Sequence, residues 1–130
     1  MKPSSFPPRA PRSARPIAHA GIEGAEVDVV VVGAALQQGV QGGNIARLAL
    51  LRAGLPVSVA GQSMDRQCAS GLMAIATAAK QIIVDGMQIC VGGGVDSISM
   101  IMNARMNNGA DPELVAMHPA IHMPMLQTAE

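Results

Sequence analysis

Aromatic side chains are almost missing from this sequence of 130 residues, which has no Trp, no Tyr and a single Phe, Phe6. Without aromatic faces among the basic residues there is no stacking platform for single-stranded nucleic acid, and a short basic segment alone does not make a duplex-binding surface. Nucleic acid is therefore not an expected partner. Cysteine is scarce too: Cys68 and Cys90 stand alone, with no secretory apolar run ahead of them. That argues against a disulfide framework and for a reducing, cytoplasmic setting. Long hydrophobic runs are also lacking, because Lys80 and Asp85 interrupt the most apolar stretch, so no segment is expected to span a membrane. Net charge is zero, although Lys2, Arg9, Arg12 and Arg15 gather in the first sixteen residues, where there is no acid.

What is present is small, flexible and apolar. Ala, Val, Ile, Leu and Met dominate a hydrophobic share of 49%, with ten methionines among them. A chain of this length can bury about two thirds of its unfolded surface. Methionine fills irregular gaps in such a core but specifies packing less strictly than branched residues do.

The opening segment holds Pro3, Pro7, Pro8, Pro11 and Pro16 among Ser and Arg, so residues 1–19 are expected to be a disordered tail. The same prolines would break the amphipathic helix that an organelle transit peptide needs. From Val27 to Val32 a β-branched run closing at Gly33 predicts a strand buried on both faces of a parallel or mixed sheet. Asn44 is a helix cap for a segment in which Ile45, Leu48 and Ala49 recur at helical spacing, ended by Gly54 and Pro56. A second strand is expected from Val57 to Ser63. A helix from Cys68 to Val84 follows, with Leu72, Ile75, Ala76, Ala79 and Ile83 on one stripe and further apolar residues elsewhere, as in a buried helix. Ile89, Cys90 and Val91 begin a third strand that breaks at Gly92-Gly93-Gly94. Alternation of strand and helix predicts an α/β domain over residues 20–102. Residues 103–130 read as a long loop with a short helix over Pro112–Met117.

Cys68 is the chemically distinctive residue. A cysteine behind a strand and a tight turn, at the start of a helix, meets free backbone N–H groups and the positive end of the helix dipole, which favour thiolate and can hold an oxyanion. The residues alone leave a second reading open, a small buried hydrophobe. Gly71 inside the helix costs about 0.5 to 1 kcal/mol relative to Ala and points to close approach of a backbone or a ligand. Ser70 is a candidate helix cap.

The run Asp-Arg-Gln-Cys-Ala-Ser-Gly-Leu, Asp65 to Leu72, resembles the acyl-enzyme motif of the thiolase family, and the likeness continues to Gly86. Val91 to Met100 resembles the family's glycine-rich strand-turn, Ala34 to Gly54 its stretch ahead of the nucleophile, and Met123 to Glu130 its segment beside the coenzyme A channel. The resemblance implies an α/β fold: an incomplete thiolase-like N-terminal domain, with a mixed sheet, a buried helix carrying the nucleophilic cysteine, and a long C-terminal loop region. It implies ping-pong acyl transfer through Cys68, between an acyl-coenzyme A or 3-ketoacyl-coenzyme A and coenzyme A, as in fatty-acid β-oxidation or acetoacetyl-coenzyme A metabolism. By the same resemblance Met125 is a candidate contact for the pantetheine arm, no tightly bound cofactor is expected, and relatives are homodimers or homotetramers.

Departures from the family shape the expectation as well. The family's first strand, with its Arg-Thr-Pro turn, is replaced by the Pro/Arg-rich tail. The histidine that takes the thiol proton, the second catalytic cysteine and the asparagine-held water belong to the family's second half, so a truncated chain is expected. Two alternatives follow: an inactive fragment acting as an interaction surface through its sheet edge, or a fragment of a ketoacyl-synthase-type condensing enzyme.

Cys90 matches no catalytic position and is expected to be a small core residue. His118 and His122 are four apart, but Pro119 spoils the helix that such metal-ligand spacing requires, so no metal site is expected. The glycine run Gly92–Gly94 lacks a following Gly-Lys-Ser/Thr, which leaves close packing near the nucleophile rather than phosphate binding.

Overall fold

The computed structural model describes residues 14–103, 106 and 109–129. Its centre is a three-stranded sheet formed by β1 (Val29–Gly33), β2 (Ala60–Met64) and β3 (Cys90–Gly94), in the order β2-β1-β3. Both pairings are parallel, in registers such as Val31↔Gln62 and Val31↔Gly92. The sheet is thus the parallel form of the expected parallel or mixed sheet. Crossover connections cover both faces, as parallel strands require.

Alternation along β1 divides the core. Val30 and Val32 face a cluster with Ile17 of α1 (Arg15–Ala20), Leu50 of α2 (Ile45–Arg52), Leu55 and Val59. Val29 and Val31 face Ala74 and Ala78 of α3 (Ser70–Ile83). The outcome is a helix–sheet–helix sandwich whose middle strand is buried.

Three sequence expectations are corrected in these layers. The expected tail of residues 1–19 lies outside the described residues as far as residue 13; from Ala14 onward the chain is packed, with Ala14 and Ile17 buried. Pro16 occupies the first helical turn, where its missing N–H breaks no hydrogen bond, and Gly21 closes α1 at φ +69°, its N–H bonded to Ala18 O. The second strand starts at Ala60 rather than Val57, because Val59 N–H turns back onto Pro56 O. The third strand does not break at the glycines: Gly92, Gly93 and Gly94 pair with Val31, Val32 and Gly33.

The helical faces also differ from the expected ones. In α2 the buried residues are Ala46 and Leu50, while Leu48 is exposed. In α3 the stripe of Leu72, Ile75 and Ile83 points away from the sheet, at 72%, 54% and 80% exposure, and Ala74 and Ala78 point in. The reason is distance: a β-carbon on Gly92 would lie 2.9 Å from Ile75 Cα and 3.2 Å from Ala78 Cβ. At that separation only alanine fits between helix and strand, so the large aliphatics take the outer face.

Asn44 caps α2 as expected, its Oδ1 accepting Arg47 N–H at 3.1 Å. Beyond β3 the chain forms short helices: α4 (Ile98–Ile101), α5 (Pro112–Met117) and α6 (Met125–Thr128). Asp111 Oδ1 caps α5 through Glu113 N–H at 2.9 Å and Leu114 N–H at 3.4 Å. No helix among the described residues is long and apolar enough to cross a membrane.

Candidate active site

The C-terminal ends of the strands are where ligands bind in open parallel sheets, and there β2 leads directly into the turn that carries Cys68. Helix α3 begins at Ser70, two residues later than Cys68 itself. Gln67, just before the cysteine, adopts a left-handed conformation, φ +50°, and Cys68 and Ala69 complete the turn ahead of the helix. Cys68 is exposed, which removes the reading as a buried hydrophobe.

The turn is held by main-chain groups, one carboxylate and one hydroxyl. Asp65 Oδ1 accepts Gln67 N–H at 2.7 Å, and Ala69 N–H and Ser70 N–H donate to Arg66 O and Gln67 O at 3.1 and 3.0 Å. Ser70 Oγ accepts Arg66 N–H at 2.8 Å and donates to Gln67 O at 2.5 Å. Ser70, at 2% exposure, therefore staples the turn rather than capping the helix. No hydrogen bond among the described residues engages the backbone N–H of Cys68, Gly71 or Leu72. Unpaired N–H groups at a helix start are donors of the kind that hold an oxyanion. The Arg66 guanidinium is directed at Met73 Sδ, 2.9 Å away.

Glycines place this turn against the sheet. A β-carbon on Gly33 would meet Ser70 O at 2.1 Å, and one on Gly94 would meet Gly71 Cα at 2.8 Å. The close approach expected at Gly71 is met by the backbone of Gly94. The glycines after Val91 serve the close packing expected of them.

Beside the turn lies a cavity of about 580 Å³ lined by Leu36, Gln38, Gln67, Met106, Ala110, His122 and Met123. Sequence reasoning singled out Cys68 but missed Leu36, Gln38 and Gln67 as wall residues. All three lie within stretches that carry the family resemblance, but nothing in those stretches marks them as wall residues, and only the fold brings their loops together. Met125, 76% exposed, does not line this cavity, whereas Met123 does. His122 joins the wall, away from any helical pairing with His118.

Cys90 stands at the opposite end of the sheet, partly buried beside Val29, Met87 and Ala78. Burial pushes its thiol above the ordinary range, and the carboxylates of Asp28 and Asp85 push it further. It is a core residue without access to the Cys68 turn.

The fold and site together are a parallel α/β layer that carries an exposed cysteine on a stapled turn at its strand ends. The family described as thiolase, N-terminal domain, matches residues 13–123, and the chain belongs to the thiolase family. It is 46% identical over 79 residues to the β-ketoadipyl-CoA thiolase of Pseudomonas aeruginosa, covering 61% of this chain and 20% of that protein. It is 36% identical over 111 residues to the 3-ketoacyl-CoA thiolase of Saccharophagus degradans, covering 85% of this chain and 26% of that one. Among solved structures it is similar to the acetyl-CoA acetyltransferase of Bacillus anthracis, with a TM-score of 0.65 and 34% identity over 78% of this chain and 27% of that chain. An Ascaris suum thiolase in complex with coenzyme A gives a TM-score of 0.65 at 27% identity, over 77% of this chain and 26% of that chain. The chain therefore spans between a fifth and about a quarter of the length of these relatives.

Proposed function

We propose that this chain provides the acyl-accepting part of a thiolase-type acyltransferase, with Cys68 as nucleophile. The observation that carries the proposal is the exposed sulfur on a turn stapled by Ser70, beside a cavity and at the ends of parallel strands. In the reaction Cys68 Sγ attacks the carbonyl carbon of an acyl-coenzyme A. The carbon–sulfur bond to coenzyme A breaks, and the proton lost by Cys68 ends on the departing coenzyme A sulfur. With a 3-ketoacyl-coenzyme A the attack falls on the keto carbon, the adjacent carbon–carbon bond breaks, and protonation of the departing enolate yields acetyl-coenzyme A. Backbone N–H groups at the turn stabilise the oxyanion formed in either case. The family resemblance assigns the base to a histidine of the second half.

The names of the relatives support acyl-coenzyme A thioesters as the substrate class, with coenzyme A as co-substrate and β-oxidation or acetoacetyl-coenzyme A metabolism as the proposed setting. Met125 as a contact for the coenzyme A arm rests on the family resemblance alone. A homodimer or homotetramer is the proposed assembly. Two free thiols fit a reducing compartment such as the cytoplasm.

The test is mass spectrometry after incubation with acetyl-coenzyme A. An adduct of about 42 Da that disappears in Cys68→Ser is the expected result. Folded protein that takes no adduct would overturn the proposal. That outcome favours the second reading, an interaction surface, for which the exposed apolar face of α3 is the supporting observation.

A further inference from the structure

Among the described residues two polar side chains are buried, Ser70 at 2% exposure and Gln41 at 3%. Ser70 donates to the carbonyl of Gln67. Gln41 is bonded in the loop after β1: its Nε2 donates to Leu36 O at 3.5 Å, to Ala35 O at 3.0 Å and to Asp96 Oδ1 at 3.0 Å. Its Oε1 accepts the N–H of Ser97. Asp96 Oδ2 in turn accepts Ala35 N–H at 3.4 Å. One buried amide therefore ties the loop after β1 to the loop after β3.

The residues so held are alike. Leu36 and Gln67 both have left-handed backbones, φ +57° and +50°, a conformation that side chains other than glycine, Asn and Asp rarely adopt without support from their surroundings. Both line the cavity of about 580 Å³ beside the Cys68 turn, whose wall includes Gln67 but not Cys68 itself. Each has its carbonyl engaged by one of the two buried polar side chains. Leu36 O also accepts Gln38 N–H at 2.7 Å, so removing the Gln41 amide leaves Leu36 that bond but takes away the one at Ala35 O and the tie to Asp96 and Ser97 in the loop after β3.

We propose that Gln41, acting through Asp96 and the Ala35–Leu36 backbone, is a positioning residue that fixes Leu36 as the wall opposite Gln67 and so holds a thioester in line with Cys68. The role rests on the acyl-transfer reading of that cysteine. It is distinct from a general contribution to stability, because it concerns only reagents that must occupy the cavity. Iodoacetamide, small enough to reach an exposed sulfur directly, does not depend on it.

The experiment compares two rates at Cys68, measured by mass spectrometry on the full chain: acetylation by acetyl-coenzyme A and alkylation by iodoacetamide. Gln41→Ala is expected to slow acetylation by between about tenfold and a hundredfold, the range for small misplacements of bound reactants, with alkylation changed less than about twofold. Asp96→Asn, an exposed position, is expected to slow acetylation in the same direction but less, and it decides the matter if Gln41→Ala no longer unfolds cooperatively. A ratio of the two rates that stays at its wild-type value in the variants overturns the role given to Gln41, as does a parallel fall of both rates. A wild-type chain that is alkylated but never acetylated overturns the acyl-transfer reading, and the role of Gln41 with it.

Discussion

A β-carbon placed on Gly33 would lie 2.1 Å from the carbonyl oxygen of Ser70. The end of β1 and the start of α3 therefore meet through main chain alone, and the position of the Cys68 turn is set by that contact. Gly33→Ala must push backbone against backbone, where no flexible side chain can yield. Overpacking of this kind costs about 1–3 kcal/mol and more when backbone has to move. Thermal denaturation followed by circular dichroism is expected to show a large drop in midpoint or the loss of a cooperative transition.

Ser70→Ala removes the hydroxyl that accepts Arg66 N–H and donates to Gln67 O. A buried group left without its partner costs about 1–3 kcal/mol. Denaturant unfolding should report a loss in that range. Ser70→Thr, which keeps the hydroxyl, should lose less unless its extra methyl group cannot be packed.

The inverted face of α3 yields a paired test. Ala78 is buried against Gly92, so Ala78→Leu should destabilise by about 1–3 kcal/mol. Ile83 is 80% exposed, so Ile83→Lys should fall within about 0.5 kcal/mol of wild type. Equal losses in the two variants would contradict the orientation of the helix.

Asp28 and Cys90 give a pH dependence. Asp28 Oδ2 accepts Gln88 N–H at 2.8 Å and Ile89 N–H at 3.1 Å, and burial, followed by the charges of Asp28 and Asp85, raises the Cys90 thiol. A thiol raised in the folded state contributes stability that is fully present below its unfolded value. That stability is lost as pH climbs through the folded value, so the window lies on the alkaline side of the ordinary thiol range, above about pH 8.5. Melting temperatures should decline there more steeply for wild type than for Cys90→Ala. Asp28→Asn should bring the Cys90 titration, followed by thiolate absorbance, back toward the ordinary value.

The strand–helix alternation was legible because β-branched runs such as Val29–Val32 and stops such as Gly54 and Pro56 act locally. Cys68 was legible through its flanking motif, and the short helix of Pro112–Met117 through Asp111 and Pro112. The inward faces of α2 and α3 were not. Hydrophobicity ranks Ile75 and Leu72 as core residues, but the seat of α3 is a glycine strand, and closeness there selects alanine over bulk. The packed stretch from Ala14 to Ala20 was hidden because proline reads as disorder by composition, while its effect depends on which helical turn it occupies. The cavity wall was hidden for a different reason: Leu36 and Gln67 are 31 positions apart in the chain, and only the folded structure brings them to one cavity.

The bonds that fix the Cys68 turn use the main chain of Arg66, Gln67 and Ala69 but none of their side chains. Exchanging the side chain of Gln67, a residue on the cavity wall, would therefore reshape that wall while leaving in place the bonds by which Asp65 and Ser70 set the path of the chain around the sulfur.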